Sequence, residues 1–502
     1  MTGTYPKRSV QAFDFRDFYF GVYLMSFRSS LLLASFFLAS CSAVEQPDRE
    51  SQLESRISRI ENGLIANVQI EGESQKYFNL QDRLEEIGIP GLSVAFAANG
   101  KLEWARAYGM ADKSENRPMT TGTYLLAGSI SKPVAGVRSL QLVEDGVFDL
   151  DENINSYLQS WQVPDNEFTE TEKVTLRRIL THTAGLTVWG FPGYYKGDEI
   201  PSVIDVLDGK GNTDPVRVFR EPGEAWRYSG GGYTIMQLAI TDTERMDFAR
   251  ILHDNVLNRI GMAGSTFENP LPAALHADAA TGYRASGDEV EGKWPIYPEM
   301  AAAGLWTTPS ELIRYGIEMQ KILQTGEDGI LSYSTVSSML DAESGTHGLG
   351  PSVQEHTFGH SGADQGFRAR LYAWKDLPYA VVVMVNSDNS KIIREVLLSI
   401  ANEYDLPGIE PVVRKLADIP PEALDKFAGR YELTEAGRFD ISVDGKRLKL
   451  TGLDFGYTAS LYPQSDLEFF DSDSGSITTF EVRDGVVTGF QMASRRGVRS
   501  SD

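Results

Sequence analysis

Apolar and polar positions alternate along "GLSVAFAANGKLEWARAYG", from Gly91 to Gly109, on both sides of Asn99-Gly100. Two strands flanking Asn-Gly predict a β-hairpin, because that dipeptide adopts the left-handed backbone a two-residue turn needs. Leu80 to Ile87 reads as a short amphipathic helix. From Lys132 to Val143 the period lengthens: Val134, Val137, Leu140 and Val143 recur at helical spacing, and Gly146 can end the helix. Glycine- and proline-rich loops then alternate with helices to about residue 350. "FRARLYAWKDLPYAVVVMVN" predicts a second hairpin, and Lys391 to Tyr404 a closing helix. Hairpins at both ends with helices between them predict an α+β domain over residues 76–405. Its antiparallel sheet would be built from both chain ends around an inserted helical region. After "LPGIEPVV" the texture changes to short alternating segments, with turns at Asp444-Gly445 and Asp484-Gly485. Residues 411–502 are expected to form a separate small antiparallel β domain.

Composition narrows the function classes. The chain has 502 residues, 41% hydrophobic and 23% charged, with a net charge of −23. These are the proportions of a soluble globular protein, and the charge opposes binding to nucleic acid or an anionic membrane surface. The single cysteine, Cys41, excludes an intramolecular disulfide. Six histidines without paired spacing imply no metal site, and nothing in the sequence implies a cofactor. Before Cys41, Arg28 supplies a positive charge and Leu31 to Leu38 an apolar run too short to span a bilayer. Residues 1–41 therefore read as a signal region, with Met25 as its start. Leu38-Ala39-Ser40-Cys41 resembles the lipobox of bacterial lipoproteins. That resemblance implies a lipidated Cys41 holding the chain on a membrane. With Ser42 following, it implies the periplasmic face of the outer membrane. Residues 42–75 are polar and read as a tether, partly helical.

Three stretches carry candidate chemistry. Ser129 and Lys132 lie three residues apart at a predicted helix start, so the lysine can reach the hydroxyl. A helix N-terminus and partial burial both disfavour the ammonium, leaving Lys132 able to act as a base toward a serine nucleophile. Free N–H groups at the same helix end could hold an oxyanion. On this segment alone, a helix start capped by Ser129 or Ser131 with a solvated lysine is the favoured reading. In "REPGEAWRYSGGGYTIMQL", Tyr228-Ser229-Gly230 occupies a glycine-dense loop that enters an apolar helix. There a phenol can pass a proton, or simply pack. In "FGHSGADQGFRARL", His360-Ser361-Gly362 stands ahead of an alternating strand, where a glycine would let substrate lie along the backbone. "GHSGA" is one residue short of a nucleophile elbow, and no helix follows it as an elbow requires.

Ser-x-x-Lys, then Tyr-x-x, then a basic-x-Gly triplet, in this order, resembles the β-lactamase-related serine hydrolases. Class C β-lactamases, penicillin-binding carboxypeptidases, D-amino-acid peptidases and esterases belong to that family. "LRRILTHTAGL" and "YPEMAAAGLWTTPSEL" carry the same resemblance, which spans about Leu80 to Tyr404. The tail opening "FAGRYEL" resembles the small β-barrel domains appended to such enzymes. The resemblance implies that Ser129 is acylated, Lys132 deprotonates it and Tyr228 relays the proton. It also implies an oxyanion hole from the N–H groups of Ser129 and Ala363, and substrate contacts from His360, Ser361, Gly362 and Gly230. His182 is expected to order a loop. Two departures stand out. Gly230 replaces an asparagine that would bond a substrate carbonyl. His360 replaces a lysine that would face a carboxylate, and an imidazole is only partly charged near neutral pH. The expected function is a lipid-anchored hydrolase of esters, amides or D-amino-acid peptides with weak β-lactamase activity. The alternatives are a dedicated β-lactamase or D-Ala-D-Ala carboxypeptidase, and a silent envelope protein binding through the old pocket. Substrate is the only partner implied besides the membrane, and the sequence leaves the oligomeric state open.

Overall fold

The computed structural model describes residues 48–342, 345–433, 437–453, 458–492 and 495–500. The signal region, with Met25 and Cys41, lies outside them. Among the described residues no helix is long and apolar enough to cross a membrane.

The first predicted hairpin forms from β1 (Gly91–Ala98) and β2 (Lys101–Asp112). Asn99 and Gly100 sit at φ 52° and 72°, the left-handed pair of a tight turn. The late strands are β3 (Thr357–Asp364), β4 (Phe367–Trp374) and β5 (Tyr379–Val385). The order β2-β1-β5-β4-β3, with short edge strands Arg117–Pro118 and Ser352–Val353, makes one seven-stranded sheet. Its central seam pairs β1 with β5 antiparallel, Val94 opposite Val383. The sheet is thus assembled from both ends of the domain, as the sequence predicts.

Both faces of that seam are covered, which is why every residue of β1 is buried. One face (Leu92, Val94, Phe96, Val381, Val383, Val385) packs in a cluster with Ile392, Val396 and Leu397 of the closing helix. At ~1.5–3 kcal/mol for each fully buried aliphatic side chain, that helix is fixed to the sheet by several such terms. The other face (Ala95, Ala97, Val382, Met384) joins the larger core of the inserted helices. The inserted region includes α1 (Ser131–Glu144) and α2 (Gly230–Glu244). The first seven residues of α1 are buried without a break, so its N-terminus lies inside the domain rather than at its surface.

Chain order departs from expectation before the hydrolase-like region. The described residues of the stretch read as a tether are packed against the rest of the fold. Arg49–Glu61 is a helix that buries Ile57 and Ile60. Val68–Ile70 pairs in parallel with Val412–Arg414. Two isoleucines three apart in a charged run give too weak a period to announce this; burial against distant segments decides it.

The predicted C-terminal β domain is a closed eight-stranded barrel running from Gly429 to Arg499. Its interior is aromatic, with Phe427, Tyr431, Phe439, Phe469, Phe480 and Phe490 buried together. One barrel turn docks beside that parallel strand pair and on the closing helix: Asn67 Nδ2 donates to the Asp473 carbonyl (2.8 Å), Arg414 Nε to the Gly475 carbonyl (2.8 Å) and Lys391 Nζ to the Asp473 carboxylate (2.6 Å).

Candidate active site

Ser129 occupies a single 3₁₀ turn, Gly128–Ile130, that leads into α1. The turn is held from two sides. Ser131 Oγ donates to the Gly128 carbonyl and accepts from Leu305 N–H. Strand β3 presses on it from the other side. A Cβ on Gly128 would lie 2.5 Å from the Ala363 nitrogen, and one on Gly362 would lie 1.9 Å from the Ala127 carbonyl oxygen. Both positions exclude every larger residue, and Gly128 also sits at φ 53°. The Ala363 amide is thereby set beside the serine turn. Gly362 serves this close packing; its missing side chain is filled by protein backbone, not left for substrate as the sequence suggested. His360-Ser361-Gly362 also lies within β3 rather than ahead of a strand.

Lys132 Nζ stands 2.9 Å from Ser129 Oγ and 2.8 Å from the Ala302 carbonyl. The residue is 2% exposed, so it is not the solvated side chain of an ordinary helix start. Burial brings its pKa down to about 7, against the opposing pull of the Asp364 carboxylate. In the neutral form one N–H donates to the Ala302 carbonyl and the lone pair faces the Ser129 hydroxyl. Tyr228 completes the cluster. Lys132 Nζ lies 5.0 Å from its ring centroid. Burial raises its phenol well above the ordinary tyrosine range, although interaction with Ser129 draws it back in part. The phenol therefore keeps its proton wherever Lys132 has lost its own.

Three histidines surround Tyr228. His182, at φ 60°, stacks on it at 4.1 Å and accepts the Ser229 N–H at Nδ1 (3.2 Å), fixing the loop that carries the tyrosine. Its role as a loop-ordering residue matches the expectation. His360 and His347 have ring centroids 6.1 Å from that of Tyr228. His360 donates from Nδ1 to the Ser361 carbonyl (2.6 Å), leaving a buried Nε2 without a partner. Burial, then the nearby Lys132, hold His360 well below the usual imidazole range, and burial brings His347 down to about 4. All three are neutral rings near pH 7. His360 is therefore less charged than the sequence suggested, not partly charged.

These groups open into a cavity of about 660 Å³. Ser361, Ala363, Trp189, Phe191, Trp226 and Arg370 line it alongside the catalytic candidates. Gly230 is not among its lining residues, a correction to the sequence reading. It is the first residue of α2, buried, and its N–H donates to the Trp189 carbonyl (3.1 Å). A Cβ there would come within 3.0 Å of Phe191 Cε2, so an amide side chain would have to shift the Phe191 ring. Val188, whose carbonyl accepts the Gly231 N–H, sits at φ 60°. That conformation costs a β-branched residue on the order of 1–3 kcal/mol.

Several site residues escaped the sequence reading. Arg370 stands directly across the ladder from Ser361. Its Nε is buried without a hydrogen-bond partner, and among the described residues its guanidinium has no ion-pair partner. Its Nη2 donates to the Tyr372 hydroxyl (2.5 Å), and the residue lines the cavity close to the His-Ser-Gly triplet. Asp364 lies beside Lys132, and the buried Glu299 interacts in turn with Asp364. Burial pushes Asp364 up to about 7 and Glu299, 0% exposed with both oxygens unpartnered, up to about 8. Among the described residues no cluster of ligating side chains could hold a metal ion.

Comparison with known proteins follows the same lines. A family model described as Beta-lactamase matches residues 79–399. Penicillin-binding protein 4* of Bacillus subtilis (strain 168) is 20% identical over 419 residues, covering 75% of this chain and 87% of its own. The putative penicillin-binding protein PbpX of the same organism is 23% identical over 366 residues, covering 71% and 84%. In fold, the octameric penicillin-binding protein homologue from Pyrococcus abyssi superposes with a TM-score of 0.57 at 21% identity, covering 83% of this chain and 98% of its own. D-amino acid amidase from Ochrobactrum anthropi gives 0.53 at 19%, covering 70% and 100%.

The lysine sets a pH prediction. A base must be neutral, and the Lys132 pKa of about 7 places the change from ammonium to amine there. The kcat/KM for a non-ionising ester should rise tenfold per pH unit below about 7 and level off above it. A profile flat from pH 5 to 8 would exclude Lys132 as the base.

Proposed function

Since the chain belongs to the β-lactamase family, a family of serine hydrolases with penicillin-binding relatives, we propose that it hydrolyses esters, amides or D-amino-acid peptides through an acyl-enzyme. The observation that carries this reading is the 2.9 Å contact between Ser129 Oγ and a buried lysine. Neutral Lys132 accepts the Ser129 proton as Oγ attacks the substrate carbonyl. The N–H groups of Ser129 and Ala363 hold the oxyanion, at about 10²–10³-fold in rate for one such donor. The proton then passes through the Tyr228 hydroxyl to the leaving group, and the acyl bond to Oγ forms as the leaving-group bond breaks. Water, giving its proton back along the same path, hydrolyses the acyl-serine.

A fluorophosphonate probe tests the nucleophile, because only an activated serine is labelled. Wild type should label at Ser129. Ser129→Ala and Lys132→Ala should each lose at least a thousandfold in turnover, with the double variant hardly worse, as for residues acting as one unit. An unlabelled wild-type protein would favour the silent envelope-binding alternative.

Arg370 favours a second reading within the same chemistry: a β-lactamase or D-Ala-D-Ala carboxypeptidase whose substrate carries a carboxylate. A fixed guanidinium in the cavity removes the sequence-based argument for uncharged esters. Arg370→Gln should lower kcat/KM for a carboxylate-bearing substrate such as nitrocefin several-fold relative to p-nitrophenyl acetate. An unchanged ratio would return the neutral ester to first place.

We place the enzyme in the cell envelope, anchored through a lipidated Cys41 to the periplasmic face of the outer membrane, on the lipobox-like sequence alone. Cys41→Ala should abolish palmitate labelling and release the protein into the soluble fraction. Retention on the membrane would remove this assignment.

A further inference from the structure

The catalytic cluster does not use the aromatic wall beside it. Trp189 and Trp226 are 68% and 44% exposed, which is unusual for indoles, yet both line the cavity that holds Ser129. Their rings lie 5.7 and 6.5 Å from that of Tyr228. Phe191 completes the wall, next to the place where a Gly230 side chain would be.

This wall is built, not incidental. The Trp189 and Val188 carbonyls accept the first free N–H groups of α2, from Gly230 and Gly231. Ser229 Oγ donates to the Thr187 carbonyl and accepts the Gly232 N–H. The loop is thus clamped on a helix end, with Val188 held in the left-handed region to make the turn. Strain of this kind persists only where surrounding bonds over-determine it. Its result is that Trp189 and Phe191 face the cavity on the side where an amide donor would otherwise stand.

We propose that Trp189, Phe191 and Trp226 form an acyl-group subsite for aromatic or bulky apolar acyl chains, recognised by ring contact rather than by a hydrogen bond to an acylamino group. The proposal rests on the serine-hydrolase reading above and specifies its substrate class. The three rings offer apolar contact area and a quadrupole edge to an apolar ring, and the hydrogen-bond donors they carry are the two indole N–H groups. The space beside Gly230 is then taken by Phe191, and ring contact stands where an amide side chain would otherwise bond the substrate. Arg370 is a separate cavity-lining group, so a substrate with an aromatic acyl end and an anionic end would engage both.

The test compares p-nitrophenyl phenylacetate with p-nitrophenyl acetate, which share a leaving group and differ only in the acyl ring. Wild type should prefer phenylacetate. Trp189→Ala and Trp226→Ala remove exposed side chains and should each reduce the kcat/KM ratio about tenfold or less, with the double variant approaching equal rates. Gly230→Asn, which must displace Phe191, should also reduce the ratio and should confer no preference for an acylamino ester such as the N-acetylglycine p-nitrophenyl ester. An unchanged ratio in both tryptophan variants overturns the subsite. So does a gain of acylamino preference in Gly230→Asn. Fluorophosphonate labelling of the wild type separates this failure from failure of the hydrolase reading. A labelled enzyme with an unmoved ratio condemns only the subsite, and an unlabelled one condemns both.

Discussion

The site depends on the desolvation of Lys132. An ammonium removed from water without a paired carboxylate is unfavourable by several kcal/mol. The chain meets that penalty by letting the proton go near neutrality rather than by pairing the charge. Much of the surrounding architecture follows. The helix carrying Lys132 begins inside the core. A backbone carbonyl, that of Ala302, is its other hydrogen-bond partner. The neighbouring Asp364 and Glu299 are themselves too deeply buried to ionise readily. The three imidazoles around Tyr228 stay neutral for the same reason, so the pocket is polar in its hydrogen bonds and poor in charge. Arg370 is the exception, and it stands on the strand beyond β3 rather than among the catalytic groups.

Close backbone approach is the second constraint. Strand β3 and the Ser129 turn touch through Gly128 and Gly362, with no side chain between them. That contact decides where the Ala363 amide lies. Two glycines that would otherwise pass as loop residues therefore control the geometry around the nucleophile. The same logic applies at Gly230, where the missing Cβ makes room for Phe191 rather than for substrate.

Local signals in the sequence carried far. Asn99-Gly100 announced its hairpin because the turn geometry is set by two residues. The helix from Lys132 and the closing helix from Lys391 showed their period, and Asp444-Gly445 and Asp484-Gly485 marked turns of the barrel. Order along the chain brought Ser129, Lys132, Tyr228 and His360 into one reading, and the fold brings all four to one cavity. What stayed hidden was register and burial. That Arg370 faces Ser361 follows from strand pairing, which one sequence does not specify. His347 and Trp189 sit in segments without a motif, and their proximity is set by tertiary packing. The packing of the helix from Arg49 was illegible because its two buried isoleucines lie in a charged stretch.

The pairing of Val94 with Val383 has a kinetic meaning. Loop closure over so long an interval is slow, and the contacts that reward it come late. A chain synthesised only as far as α2 already contains the serine, the lysine and the tyrosine, yet lacks β3 and with it the Ala363 amide. The cavity that gathers Ser129, Lys132 and Tyr228 is therefore complete only when the final strands join the first.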